Sequence, residues 1–188
     1  METTDEQLAE RSARGDDDAF QEIVRRYLGS IYRFAFQYAR TEEDAEDIAQ
    51  DSFFKAWKYI KRYKKGRPLK PWLFTIARNT ALDFLKKKRP LTFSSIKNGE
   101  DTTPFEDTLE DTELLQTDLF ERAESKEELL KLLDTLHPDH RSVLTLYYHE
   151  ELTFEEIAET LERPMNTVKS WHRRALIKIR GLLHQKGL

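Results

Sequence analysis

The stretch LTFEEIAETLERPMNTVKSWHRRA, Leu152 to Ala175, reads as two helices around a turn. Phe154, Ile157, Ala158 and Leu161 recur at three-and-four spacing, the inward stripe of a first helix. Thr153 precedes that stripe and Glu156 follows it by three, the T-x-x-E pattern in which both side chains bond backbone N–H groups at a helix start. Glu162-Arg163-Pro164 makes the turn. At about 100° per residue, Val168, Ala175, Ile179 and Leu182 share one face of the second helix. Asn166, Lys169, Ser170 and Arg173 fall opposite, with Thr167 and Arg174 on the flank. Such a helix can seat its apolar side on the first and project basic and amide groups into a DNA major groove about 12 Å wide. Lys and Arg suit guanine edges or phosphates, and Asn suits adenine. An ordinary helical hairpin with a solvated charged face has the same spacing, and spacing alone leaves both readings open.

Composition narrows the classes. The 188 residues are 38% hydrophobic and 35% charged, which fits neither a membrane-embedded nor a wholly disordered chain. No apolar run approaches the ~20 residues of a spanning helix, so direct membrane insertion is not expected. The opening METTDEQLAE lacks the basic-then-apolar order of a signal peptide. The absence of cysteine excludes disulfides and thiolate metal sites and suits a cytoplasmic protein. His137-Pro138-Asp139-His140 carries two histidines, but no further ligand set accompanies them, and no phosphate-binding glycine loop or His-Glu-x-x-His motif is present. The expectation is a non-enzyme with no catalytic residue, metal or cofactor.

The net charge of −4 conceals an uneven distribution. Residues 1–90 carry 19 basic and 15 acidic residues, residues 91–124 carry 2 and 10, and residues 125–188 carry 10 of each. The middle is a separate electrostatic object between segments able to bind a polyanion through local patches.

Periodicity divides the chain at the same places. Residues 1–90 read as helices. Asp16 to Asp18 cap a stripe of Phe20, Ile23, Val24, Tyr27, Leu28, Ile31, Phe34, Ala35 and Tyr38. Thr41 opens a second helix with Ala45, Ile48, Ala49, Phe53, Ala56 and Trp57 inward. A third is predicted from near Pro71 to the basic stop at Lys86–Arg89. Over 91–124 the periodicity fades into a flexible acidic linker. Helical spacing returns at Leu129, Leu132, Leu133 and Leu136, Pro138 opens another helix, and the quoted hairpin completes a domain over 125–188. The fold predicted is all-α, two small helical domains on a linker.

A second constellation lies at Lys55 to Arg89. From Lys55 to Lys70 there are eight Lys or Arg and no acid, interleaved with Trp57, Tyr59 and Tyr63, and Trp72 and Phe74 follow. Cations can hold a DNA backbone, and rings can stack on unpaired bases at about 1–3 kcal/mol each. The alternative is that Trp57, Trp72 and Phe74 fill a core while the lysines solubilise. On that reading the loop from Arg62 to Lys70 is the better candidate for base capture.

Both constellations carry a family resemblance. Leu152-Thr153-Phe154-Glu155-Glu156-Ile157-Ala158 with Thr167-Val168-Lys169-Ser170 resembles the −35-reading domain of bacterial sigma factors, closest to the extracytoplasmic-function group. Asp44-Ala45-Glu46-Asp47-Ile48-Ala49-Gln50-Asp51 resembles the helix by which those factors grip core RNA polymerase. Trp72 to Asn79 with Ala81-Leu82-Asp83 resembles their −10 recognition and melting segment. The resemblance implies a polymerase specificity subunit that performs no chemistry. It implies contact with core RNA polymerase through Asp44, Glu46, Asp47, Gln50 and Asp51. Arg62, Tyr63, Lys64, Lys65, Arg67, Lys70, Trp72, Arg78 and Asn79 would surround melted −10 promoter DNA. Asn166, Thr167, Lys169, Ser170, Arg173 and Arg174 would meet −35 duplex. It also allows an anti-sigma partner, membrane-linked in many members. The linker can extend on the order of 110 Å at about 3.3 Å per residue, against about 58 Å between promoter boxes roughly 17 base pairs apart. In the family this connector threads near the template strand and RNA exit path.

The departures are local. Trp171-His172 stands where the family commonly has Arg-Leu, and Glu162 where it often has glycine. Trp171 falls about 60° from the middle of the apolar stripe, which predicts core packing. The competing readings are an ordinary helix-turn-helix regulator that binds duplex without polymerase, and a helical interaction module that binds neither.

Overall fold

The computed structural model describes residues 3–39, 41–88, 133 and 135–185. The linker expected over 91–124 lies outside these, as does most of the helix expected over Leu129–Leu136. Every regular element among the described residues is helical. They form two compact units, the first holding α1–α4 and the second α5 and α7 with most of α6.

In the first unit the order is α1 (Asp5–Ala13), α2 (Asp17–Phe36), α3 (Glu42–Tyr59), a 3-10 turn (Ile60–Arg62) and α4 (Leu69–Lys88). The caps are those the sequence offers. The Asp16 carboxylate accepts from Ala19 N at 3.0 Å and the Thr41 hydroxyl from Asp44 N at 3.1 Å. The Ile23, Ile31 and Phe34 stripe of α2 is buried, as are Ile48 of α3 and Phe74 of α4. Phe34 and Phe74, both fully buried, meet edge to face at 5.2 Å. Truncating either would cost about 3–5 kcal/mol.

Three features differ from the sequence reading. Helix α1 was not expected, because only Leu8, Ala9 and Ser12 are buried on it, too few to show a period. A Thr4–Gln7 capping box starts it, and Asp5 ties it to Arg26 at 2.8 Å and to the Tyr27 hydroxyl of α2. Helix α4 begins at Leu69, two residues before Pro71, whose missing N–H falls in the first turn where no intrahelical acceptor exists. Leu28 and Trp57, expected inward, are 50% and 51% exposed. On α3 the buried line runs through Ala45, Ala49 and Ala56 and continues to Ile60 of the 3-10 turn, and Trp57 lies about 100° around the helix from its centre.

The second unit comprises α5 (Pro138–Leu144), a π-helical turn (Thr145–His149), α6 (Phe154–Leu161) and α7 (Met165–Gln185). Leu136 and Leu144 pack against Ala175, Leu176, Ile179 and Leu183 of α7. The capping box forms as read. Glu156 N donates to the Thr153 hydroxyl at 3.2 Å, and Thr153 N donates to the Glu156 carboxylate at 2.8 Å. Pro164 O starts α7 by accepting from Thr167 N at 2.9 Å and Val168 N at 3.1 Å. Glu162 holds φ 52°, the left-handed backbone that explains why glycine suits this turn. Trp171 is 5% exposed, the core packing expected of it.

Candidate nucleic-acid and partner interfaces

Helix α3 presents two chemistries on one outer face. Glu46, Asp47, Gln50 and Asp51 are exposed near its start. Phe54, 59% exposed, and Trp57, 51% exposed, continue the same line, their rings 6.4 Å apart. Asp44 differs from its neighbours: it is buried and pairs with Lys88 of α4. Lys55 draws Asp51 at 3.5 Å while holding Thr80 of α4 at 3.1 Å, which fixes the α3 face against α4. Apolar groups extend onto α2, where exposed Leu28 and Phe36 flank half-buried Tyr32 at successive i+4 positions and the last two rings sit 6.3 Å apart. Desolvation together with Glu42 and Glu46 raises the Tyr32 phenol pKa, which places this edge beside the start of α3.

The sequence reading gives Phe54 no role and places Trp57 in the core or against unpaired bases, not on a partner-facing surface. The signal was present: Phe53 and Phe54 are adjacent, so about 100° of rotation separates them and both cannot face one core.

The basic loop forms a closed turn. Tyr63 donates its hydroxyl to the Arg67 carbonyl, Arg67 N donates to Lys64 O at 3.2 Å, and Gly66 supplies φ 83°. Arg62, Lys64, Lys65 and Arg67 are exposed around it, while Tyr63, Lys70, Trp72 and Asn79 are half-buried. The Tyr63 and Trp72 rings meet edge to face at 5.7 Å, and the Arg62 guanidinium lies 5.1 Å from the Tyr59 ring centre. Burial and the nearby carboxylates Glu6, Glu10 and Asp5 raise the Tyr63 pKa. Glu10 pairs with Lys65 at 3.1 Å, so α1 borders the loop. Arg78 is 6% exposed, set among the buried side of α4 rather than on the loop's open surface.

On α7, Val168, Ala175 and Ile179 are buried as read, and Leu182 is half-buried. Asn166 is exposed, and Thr167, Lys169, Ser170, Arg173 and Arg174 are half-buried. His172 is wholly inside, 1% exposed. Burial drives its pKa down to about 4, which keeps the ring neutral near pH 7. His140, whose ring lies 5.9 Å from Trp171, is also lowered to about 4, first by burial and then by His137, with Arg174 and Lys178 adding to it against Asp139. Among the described residues no group of three or more His, Asp or Glu is placed to hold a metal ion. None of their helices is long and apolar enough to cross a membrane.

Comparison with known proteins matches both units. Residues 23–90 match the family Sigma-70 region 2, and residues 132–181 match Sigma-70, region 4. The chain is 31% identical over 159 residues to the ECF RNA polymerase sigma factor SigW of Bacillus subtilis, covering 84% of each protein. It is 32% identical over 170 residues to the RNA polymerase sigma-H factor of Pseudomonas aeruginosa, covering 88% of this chain and 86% of that one. Among solved structures it shares the fold of CnrH, determined in complex with the cytosolic domain of CnrY, at TM-score 0.67 and 23% identity over 96% of this chain and 97% of that chain. The fold of the sigma factor RpoE of Bartonella quintana, solved with the anti-sigma factor NepR, matches at TM-score 0.62 and 24% identity over 88% and 96%. With both regions matched in order and relatives aligned over most of their length, the chain belongs to the extracytoplasmic-function group of RNA polymerase sigma factors, and it directs transcription initiation.

Proposed function

We propose that the outer face of α3 is where core RNA polymerase holds this subunit. The exposed Arg62–Lys70 loop with Trp72 and Asn79 then takes the opened −10 strand, and α7 reads −35 duplex through Asn166, Thr167, Lys169, Ser170, Arg173 and Arg174. Residues 1–90 and 125–188 act as separate DNA-engaging domains, joined by 91–124, in the cytoplasm. The observation that carries this reading is the α3 face, where Phe54 and Trp57 stand half exposed beside Glu46, Asp47, Gln50 and Asp51. Two large apolar side chains left in water together, rimmed by carboxylates, suit a partner that buries the rings and offers cations. Asp44, already paired with Lys88, contributes by holding α3 to α4. Sequestration by an anti-sigma protein, as in the complexes of CnrH with CnrY and RpoE with NepR, belongs to the same proposal.

The test is reconstitution of promoter-dependent transcription from purified core polymerase, this chain and a genomic DNA library. Selective initiation is expected, lost when Phe54 and Trp57 are both replaced by Ser. Initiation that survives that replacement undiminished would refute the α3 assignment.

A further inference from the structure

His172 stands where three elements meet. Its imidazole stacks on Tyr148 with centroids 5.5 Å apart and meets Tyr147 at 5.1 Å and Phe154 at 5.2 Å, both steeply inclined. Nε2 lies 3.0 Å from the Tyr148 hydroxyl. One side chain of α7 thus touches the π-helical turn and the start of α6 together.

A leucine in its place would fill the volume without a preferred direction. An imidazole in the same place has a nitrogen that must be hydrogen-bonded once water is excluded. The Tyr148 hydroxyl meets that need, and such a bond holds only over a narrow range of distance and angle. The pair therefore constrains rotation of α7 about its own axis more tightly than apolar packing would. Lys169 and Arg173 lie about 60° and about 100° around that axis from His172. At a side-chain radius of about 6 Å, a 20° rotation moves an outer atom by about 2 Å. A hydrogen bond to a base edge tolerates a spread of only about 0.5 Å.

We propose that His172 and Tyr148 are a positioning pair that sets the rotational register of α7, and so takes part in choosing which −35 base pairs this sigma factor accepts. The inference rests on the reading of α7 as the −35 reader. Trp171, packed near His140, braces the same helix on the adjoining side and leaves the register to its neighbour.

The experiment compares the unaltered chain, Tyr148→Phe, His172→Leu and the double variant, each assembled with core polymerase on a promoter library randomised across the −35 box. Thermal unfolding midpoints are measured in parallel. Tyr148→Phe deprives the buried imidazole of its hydroxyl and lowers the midpoint. The double variant replaces the bonded pair with apolar groups of similar size and regains most of that loss. Selectivity does not return with it: enrichment of the preferred −35 sequence over its single-base neighbours falls by about fivefold or more. Enrichment ratios within about twofold of the unaltered chain, in both the double variant and Tyr148→Phe assayed below its midpoint, overturn the proposal, because the pair then only fills the core. If the unaltered chain itself enriches no −35 sequence, the promoter reading of α7 falls and the inference with it, an outcome visible before any variant is compared.

Discussion

Acidification should destabilise the second unit through His172, and the size of the effect follows from its burial. The ring is 1% exposed, and its pKa falls from an ordinary 6.5 to about 4 because burial penalises the imidazolium. An unfolded chain therefore binds a proton at this site that the folded chain refuses, over the window from about pH 6.5 down to about pH 4. Stability is fully present above 6.5 and is lost progressively as pH falls toward 4. Integrated from pH 7 to pH 5, the difference is about 2 kcal/mol. For a unit of this size that corresponds to about 10 °C in the unfolding midpoint. His140 acts in the same direction, so the isolating measurement is a difference. Midpoints of the unaltered chain and of His172→Leu are recorded by far-ultraviolet circular dichroism at pH 7, 6 and 5. The unaltered chain should lose about 2 kcal/mol more stability than the variant between pH 7 and pH 5. Parallel curves would refute the reasoning, since they would mean the imidazole takes up its proton as easily folded as unfolded.

Replacing Phe54 or Trp57 with Ala should leave the unfolding midpoint nearly unchanged, because both are about half exposed, while weakening core polymerase binding about tenfold or more in fluorescence anisotropy titrations. Changing Lys169 and Arg173 to Ala should weaken −35 duplex engagement by the holoenzyme and reduce the slope of log affinity against log salt by about one for each phosphate no longer neutralised. Glu162→Gly should stabilise the chain by about 0.5–1 kcal/mol in a denaturant titration, because φ 52° strains any residue with a Cβ.

Local chemistry was legible wherever its parts lie within one turn of one another. Thr153 and Glu156 are three apart and exchange both cap bonds, and Asp16 and Thr41 start α2 and α3 as their side chains dictate. The buried stripe of α2 was readable because seven residues repeat its period. Helix α1 offered no such repetition, and its T-x-x-Q start at Thr4 and Gln7 was the one cue. Leu28 and Trp57 are apolar in type but lie off the buried stripes of their helices, and both are about half exposed. A large apolar side chain about 100° off the stripe is exposed however hydrophobic it is, and exposure that a folding argument cannot explain is what a binding surface needs.

The candidate sites show a second limit. A motif transfers roles by position along the chain, whereas burial divides residues within one motif. Asp44 and Asp47 belong to the same run, yet Asp44 is spent on Lys88 inside the first unit and Asp47 is open to a partner. Arg78 and Asn79 are adjacent, yet the first is buried and the second half-buried. The bond between Tyr148 and His172 spans 24 residues and three elements, beyond any local pattern. A substitution such as leucine to histidine looks, in sequence, like damage to a core. Only the hydroxyl of Tyr148, 3.0 Å from the ring nitrogen, turns it into a directional contact. On the proposed reading of α7 as the −35 reader, the DNA sequence selected depends on how that helix is seated as much as on the side chains it presents.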